Sequence, residues 1–303
     1  MHKNLKIWLI LAAVLMVVGL VLIVISMSAY NWDFTQLDSV SFETNTHTPY
    51  DDFHSIQMDT DTADISILPS LDGTCKVVCK ETENLKHTVE ILDGVLTIRE
   101  EDSRKWYEHI GFSFSSARIT VYLPEAEYQD LTIQESTGDI AIAAGLHFHN
   151  MDIKTSTGDV ENYASAWETI GIHTDTGYIR IEAVSAGTLD VTVSTGDVTI
   201  VDATCDNLIS EGDTGDLNLK NVIAQETFKI ERSTGDVSFD KSDATDILVE
   251  TETGDVTGSL LSDKVFYTET DTGKVSVPPA GKGGNCVIHT DTGDIKITVS
   301  SNS

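Results

Sequence analysis

The sequence predicts an all-β protein: a right-handed parallel β-solenoid of 19–20-residue coils, preceded by one transmembrane α-helix. Three observations carry that reading. A Thr-Gly step recurs at nine places 19 or 20 residues apart, at Gly138, Gly158, Gly177, Gly196, Gly215, Gly235, Gly254, Gly273 and Gly293. Residues aligned on those glycines sort into alternating apolar and polar columns. A charge-free apolar run stands near the N-terminus.

That run comes first in the chain. Residues Ile7 to Met27 are apolar apart from Gly19 and Ser26, 21 residues without a charge, long enough to span a bilayer as a helix. Lys3 and Lys6 precede it and Asp33 and Asp38 follow, so the positive-inside rule puts the N-terminus in the cytoplasm and the rest outside. A cleaved signal peptide is the alternative, with Ser26-Met27-Ser28 as a weak cleavage site. The run exceeds the roughly 7–15 residues of a signal-peptide core, which favours an uncleaved anchor in the cell membrane. No cysteine ends the run, so a lipoprotein anchor is not expected.

The chain then divides by pattern. Residues 1–29 form the cytoplasmic tip and transmembrane helix, and 30–51, poor in apolar positions, a stalk. Residues 52–130 form irregular N-terminal coils or a cap, and 131–303 a regular solenoid. In the regular part, the position seven before each glycine runs Leu131, Met151, Ile170, Leu189, Leu208, Phe228, Ile247, Phe266, Cys286. Two after it stand Ile140, Val160, Ile179, Val198, Leu217, Val237, Val256, Val275, Ile295. Period-two alternation rich in β-branched residues means strands. The glycine supplies the sharp corner between two strands, and stacked units bury what one unit cannot. Ile56, Met58, Ile65 and Ile67 repeat the apolar columns around Thr62-Ala63-Asp64, a degenerate copy 75 residues before Gly138. At the other end, Pro278 to Asn285 breaks the pattern and no capping helix follows it. An open last coil predicts a covering return segment, a partner, or self-association.

Charge narrows the partners. Beyond the apolar run stand 17 basic against 49 acidic residues, a net −32, which disfavours nucleic acid and anionic headgroups. Four before the glycine, Glu211, Glu231, Glu250 and Glu269 fall on four consecutive repeats. In-register stacking would hold them about 5 Å apart, repelling by about 1 kcal/mol per pair in bulk water. They are the candidate divalent-cation or cationic-ligand residues. Asp197, Asp216, Asp236 and Asp255, just after the glycine, read as turn-capping groups or as more of the same face.

Catalytic signatures are absent: no nucleophile elbow, Walker loop or HExxH occurs, and Gly281-Lys282-Gly283-Gly284 lacks the rest of a phosphate loop. His147 and His149 alone are weak as metal ligands. Cys75, Cys79, Cys205 and Cys286 permit disulfides in an exported chain, although Cys286 falls in a core column and Cys75 and Cys79 are too far apart in a strand to pair. Cys75-x-x-x-Cys79 has no second ligand pair beside it, which argues against zinc. The one irregular insertion, Arg99 to Ser116 with Trp106, Tyr107, Phe112 and Phe114, reads as a lid or a cover for an open core end. The regular coils leave no long loop to build a cleft, so an enzyme is not expected and no cofactor is implied.

The runs Glu135-Ser136-Thr137-Gly138-Asp139-Ile140, Thr155-Ser156-Thr157-Gly158-Asp159-Val160, Ser194-Thr195-Gly196-Asp197-Val198 and Ser233-Thr234-Gly235-Asp236-Val237, behind an N-terminal anchor, resemble the bacterial putative-adhesin domain. This is a domain of unknown function found in cell-envelope proteins. Ile119-Thr120-Val121-Tyr122-Leu123-Pro124 is similar to that family's lead-in strand, and the resemblance covers about residues 52–299. It implies a cell-surface, non-catalytic binding, adhesin-like or scaffolding module. The alternatives it leaves are an envelope-stress accessory or sensor binding cations or cationic peptides, and a wall-polysaccharide-active enzyme. Tyr178 and Lys274 depart from the family's aspartate position.

Overall fold

The computed structural model describes residues 3–29, 41–104, 116–279 and 281–300. They belong to two units, Met1–Phe42 with Arg104–Ser116, and Glu43–Ser103 with Ala117–Ser303. The first contains the helix Lys3–Ala29. Its stretch Ile10–Ser28 has a mean hydropathy of 3.1 and the length to cross a membrane.

The second unit is a parallel β-solenoid. Each coil begins with a long strand ending at the Thr-Gly corner, such as Thr204–Thr214, and continues in a short one, such as Leu217–Lys220. Long strands pair with long and short with short, both parallel, from coil to coil. Apolar columns therefore run up the inside. Every residue in the columns seven before and two after the glycine is buried, except in the Gly273 coil. A third buried column stands at the start of the long strands, large at Tyr128 and Phe148 and small at Ala166, Cys205, Ala224 and Ala244. Two more corners complete the coil. Ala183, Asp202, Asn221 and Lys241, each six after the glycine, are left-handed, a conformation asparagine and aspartate tolerate better than most residues. Register slips in the long strand, between Ala166 and Thr169 and between Cys205 and Asn207, mark the third.

The Thr-Gly corner shows why glycine stands there. At Gly196, φ is 145° and a Cβ would lie 1.9 Å from the Gly177 carbonyl oxygen. The same approach recurs from each glycine to the coil beneath. The aspartate after it clamps the next coil: Oδ1 of Asp197, Asp216 and Asp236 each accepts the amide of the following aspartate at 2.8 Å.

The coils do not stack in sequence order at either end. The degenerate coil Ser55–Pro69 pairs directly with the Gly138 coil, Ile56 against Leu131 and Ile65 against Ile140. On its other side it pairs with Val95–Asp102 and Ala117–Leu123. Strands Lys76–Thr82 and Leu85–Leu92 then pair antiparallel to these two. Phe42–His47, within the segment expected to be a stalk, pairs with Lys76–Thr82 and so belongs to this cap. At the far end the chain passes from the Gly254 coil to the Gly273 coil, then returns to insert the Gly293 coil between them. The Gly273 coil is therefore outermost, and its Val275 is 43% exposed. Pro278 to Asn285 is the connection back. Gly283 and Gly284 lie against the Asp263 and Thr245 carbonyls and Gly281 against the Asp263 side chain, a packing role rather than a phosphate cradle.

Polar groups are buried where the order changes. Between the Ala63 and Gly138 coils, Glu135 Oε1 accepts the amides of Ala63 (3.1 Å) and Thr137 (3.4 Å), and the Thr60 hydroxyl donates to Oε2. Burial pushes this carboxyl up from 4.5 to about 7, against the lowering effect of those bonds. Before the chain leaves for the outermost coil, buried Lys264 reaches Asp243 Oδ1 at 2.9 Å and donates to the Ala244 carbonyl and Ser262 hydroxyl.

Replacing Gly196 by alanine is expected to cost about 3 kcal/mol of unfolding free energy, from strain in a glycine-only region plus the carbonyl clash, read by urea denaturation. Lys264→Met, leaving the Asp243 carboxylate buried without its partner, is expected to cost about 3–5 kcal/mol in the same assay. For Glu135 the folded pKa lies above the unfolded one, so the native state holds a proton that the unfolded chain has released. Its contribution is most favourable below about pH 4.5 and is lost as pH rises through about 7. Relative to the parent, Glu135→Gln should gain on the order of 2 kcal/mol of stability between about pH 5 and pH 8. An equal pH dependence in both proteins would contradict this assignment.

Candidate functional site

The long strands present an outward face of the residues six, four and two before each glycine. Glu211, Glu231 and Glu250 stand side by side on three adjacent coils. The fourth sequence candidate does not continue the row directly. Because the Gly293 coil is inserted, His289 lies between Glu250 and Glu269. The row is also partly neutralised: Lys229 Nζ lies 2.7 Å from Glu231 and 3.4 Å from Glu211. Those two glutamates, Glu231 first, raise the Lys229 pKa. At the open end His289 Nε2 meets Asp291 Oδ1 at 3.1 Å.

One column further out the same strands carry Leu248, Val287 and Tyr267 in direct register. Val287 is 36% and Tyr267 58% exposed. An exposed apolar stripe thus runs beside Glu250, His289 and Glu269. Sequence reading misses the stripe because the same column holds Thr132, Asp152, Asp190 and Lys229 in other repeats and so reads as part of a polar outer face. The aspartates after the glycines are not part of this face's chemistry, since each is engaged as an amide acceptor. Lys274 needs no carboxylate, because its coil is outermost and itself donates its amide to Asp294 at 2.8 Å. Tyr178 has no carboxylate to offer, although its own amide is held by Asp159 at 2.8 Å.

Beneath the face, Arg232 is buried. Its Nη2 donates to Ser210 Oγ at 2.8 Å, while Nε and Nη1 have no partner. Gly212 leaves room for it, since a Cβ there would lie 1.9 Å from Nη1. Burial lowers the guanidinium to about 10. Glu211, Glu231, Glu250, Arg232, His289 and Asp291 line a groove of ≈ 340 Å³. Its carboxylates and histidine can gather a cation or a cationic side chain. Elsewhere, His149 faces Glu168 at 3.5 Å. All four cysteines are free and buried. Burial pushes Cys75 up to about 11 and the other three to about 12, so none is a ready nucleophile. The aromatic insertion residues Trp106, Tyr107, Phe112 and Phe114 lie outside the described residues.

Comparison with known proteins agrees with this architecture. No curated protein matches the chain. Among solved structures, a putative adhesin from Bacteroides fragilis is similar at 14% identity and a TM-score of 0.50, over 85% of this chain and 97% of its own. A putative adhesin from Parabacteroides merdae is similar at 15% identity and 0.51, over 86% and 98%. A putative lipid binding protein from Parabacteroides distasonis is similar at 15% identity and 0.54, again over 86% and 98%. At these identities the likeness is one of fold. A family model, Toastrack DUF4097, matches residues 53–298, from the degenerate coil to the last strand. The chain belongs to the Toastrack DUF4097 family.

Proposed function

We propose that this chain is a single-pass, membrane-anchored surface protein that binds a partner without catalysis, in an adhesin-like or scaffolding role. The observation that carries the reading is the pairing of an apolar stripe, Leu248, Val287 and Tyr267, with the acidic row beside it at the open end of the stack. Apolar side chains rimmed by like charges suit a partner with both apolar and cationic groups. The outermost coil adds a strand, Val265–Thr272, paired on one side only among the described residues, to whose other edge an extended segment can add. Lys3 and Lys6 ahead of the apolar helix support a cytoplasmic N-terminus and an extracytoplasmic solenoid. The solved relatives named as adhesins support the class of function, and none of the three is named for an enzymatic activity.

A second reading has its own support. Glu211, Glu231 and Glu250 are in register on adjacent coils, an arrangement that favours cation or cationic-peptide binding in an envelope-stress accessory or sensor.

One experiment separates these readings. The full chain in detergent micelles is incubated with cell-wall fractions, with and without calcium, beside Tyr267→Ser and Glu250→Gln/Glu269→Gln variants. Retention that falls at least about tenfold in Tyr267→Ser, and that weakens with salt, supports partner binding at the open end. Retention that tracks calcium and the glutamates, but not Tyr267, supports the second reading. Equal retention by all three proteins would remove the face from both.

A further inference from the structure

A second polar cluster lies at the opposite end of the stack, inside the antiparallel cap. Strand Lys76–Thr82 pairs with Ala117–Leu123 along five residues, and Leu85–Leu92 pairs with Val95–Asp102 along eight. With each other the two strands share a single pair, Thr82 and Leu85. They therefore diverge immediately after their turn and enter different strand ladders. The wedge between them is filled by polar ligand types instead of the aliphatic side chains that fill the coils. Cys79 and Glu81 point in from the first strand and His87 from the second, and all three are buried. Their sulfur, carboxylate oxygen and imidazole nitrogen lie within 4.8 Å of one another.

Hydrogen bonding leaves one atom of this cluster unused. Glu81 Oε1 accepts from Asn45 Nδ2 at 2.6 Å, and Oε2 accepts from the His87 amide at 2.7 Å and pairs with His87 Nδ1 at 2.9 Å. A carboxylate on Nδ1 fixes the proton there and leaves the Nε2 lone pair free. Nε2 is enclosed and has no partner, in a side chain that solvent does not reach. Nδ1 is the nitrogen that faces the Glu81 carboxylate, so an ion shared by the two takes the place of the Nδ1 proton, and Nε2 is left to carry that proton.

We propose that Cys79, Glu81 and His87 form a binding site for one zinc-class divalent cation, which ties the two diverging strands of the cap together. Thiolate with imidazole and carboxylate is a donor set for zinc; calcium and magnesium take oxygen ligands. Bond lengths to zinc of about 2.0–2.3 Å place tetrahedral ligands about 3.3–3.8 Å apart. The cluster therefore closes on an ion by moving at most about 1.5 Å. On binding, the Cys79 S–H bond breaks, the sulfur lone pair goes to the metal and the thiol proton leaves to solvent, while His87 gives its Nδ1 lone pair to the metal and carries its proton on Nε2. No electron is transferred, and a water completes the four positions. Lys86 Nζ stands 3.9 Å from Glu81 Oε1 and also pairs with Glu43, so it has a partner to keep when the ion arrives. Sequence spacing hides the site because its third member comes from the next strand, and Cys75, the nearer cysteine, has no part in it.

The test uses cobalt(II) as a coloured substitute, on the full chain in detergent micelles under reducing conditions. One equivalent should produce thiolate-to-cobalt charge-transfer absorption and the intense bands of a tetrahedral ion. One equivalent of zinc should bleach both and raise the melting temperature. The many surface carboxylates cannot give a thiolate band. Cys79→Ser should abolish it, Cys205→Ser should keep it, and Asn45→Ala should weaken zinc about tenfold by freeing Glu81. Absence of the band in the parent protein overturns the proposal without reference to any variant. A band that survives Cys79→Ser overturns it as well.

Discussion

The solenoid depends on how closely one coil can lie upon the next at the Thr-Gly corner. Seven of the nine repeat glycines have positive φ, and at all nine a side chain would collide with the carbonyl beneath. That contact fixes where the corner of each coil sits. With the corner fixed, the long strand before it and the short strand after it fall into parallel register, and the apolar columns align without further instruction. The aspartate after the glycine secures the same corner from outside by accepting the next coil's amide. Glycine permits the approach and aspartate satisfies a donor that the turn would leave exposed. The Ser-Thr-Gly-Asp-Val signature is thus one structural device repeated.

The ends obey a different constraint. A stack of identical coils has two open faces, each a liability for uncontrolled pairing. Both ends are built by taking the chain outward and bringing it back. At the N-terminal end the chain starts in the Ala63 coil, moves out to form the antiparallel cap, and returns to the Gly138 coil. At the C-terminal end it goes out to the Gly273 coil and returns to the Gly293 coil. Among the described residues, only the first end gains antiparallel strands over it. The second keeps parallel edges and exposed apolar residues, which gives the two ends different capacities for binding.

Much of this was legible from residues alone. Nine corners, two complete core columns and the degenerate copy at Thr62-Ala63-Asp64 follow from spacing and alternation. Alanine is tolerated there because Ala63 is not left-handed and lies over Ala117, not over a Thr-Gly corner. The order of the coils was not legible. Every coil presents the same columns, so any coil fits on any other, and the normal 19- and 20-residue intervals around Gly273 give no sign of inversion. The one trace is Lys274, whose missing carboxylate fits a coil with nothing above it. In sequence order the row Glu211 to Glu269 is continuous; in the stack His289 divides it. The second corner also escaped notice, because its left-handed position holds Ala183, Asp202, Asn221 and Lys241, which share no single residue type.

If repeated columns cannot specify order, something else must, and the buried polar groups are placed to do so. Glu135 joins the Ala63 coil to the Gly138 coil across 72 residues of sequence. The Asp243–Lys264 pair lies where the chain departs for the outermost coil, and Lys264 also donates to the Ala244 carbonyl of the coil beneath. Cys79, Glu81 and His87 lie where the cap strands part. Each is a donor or charge with one correct neighbour in the dry interior. A coil stacked in the wrong order would leave it unpaired, at a cost of about 1–3 kcal/mol for a polar group and more for a charge. Aliphatic columns drive the stacking and are indifferent to its order; buried polar contacts contribute less to stability and discriminate among orders. The inverted C-terminal order they favour is what sets His289 between Glu250 and Glu269 and leaves Val275 uncovered, so the same contacts that select the fold also shape its open end.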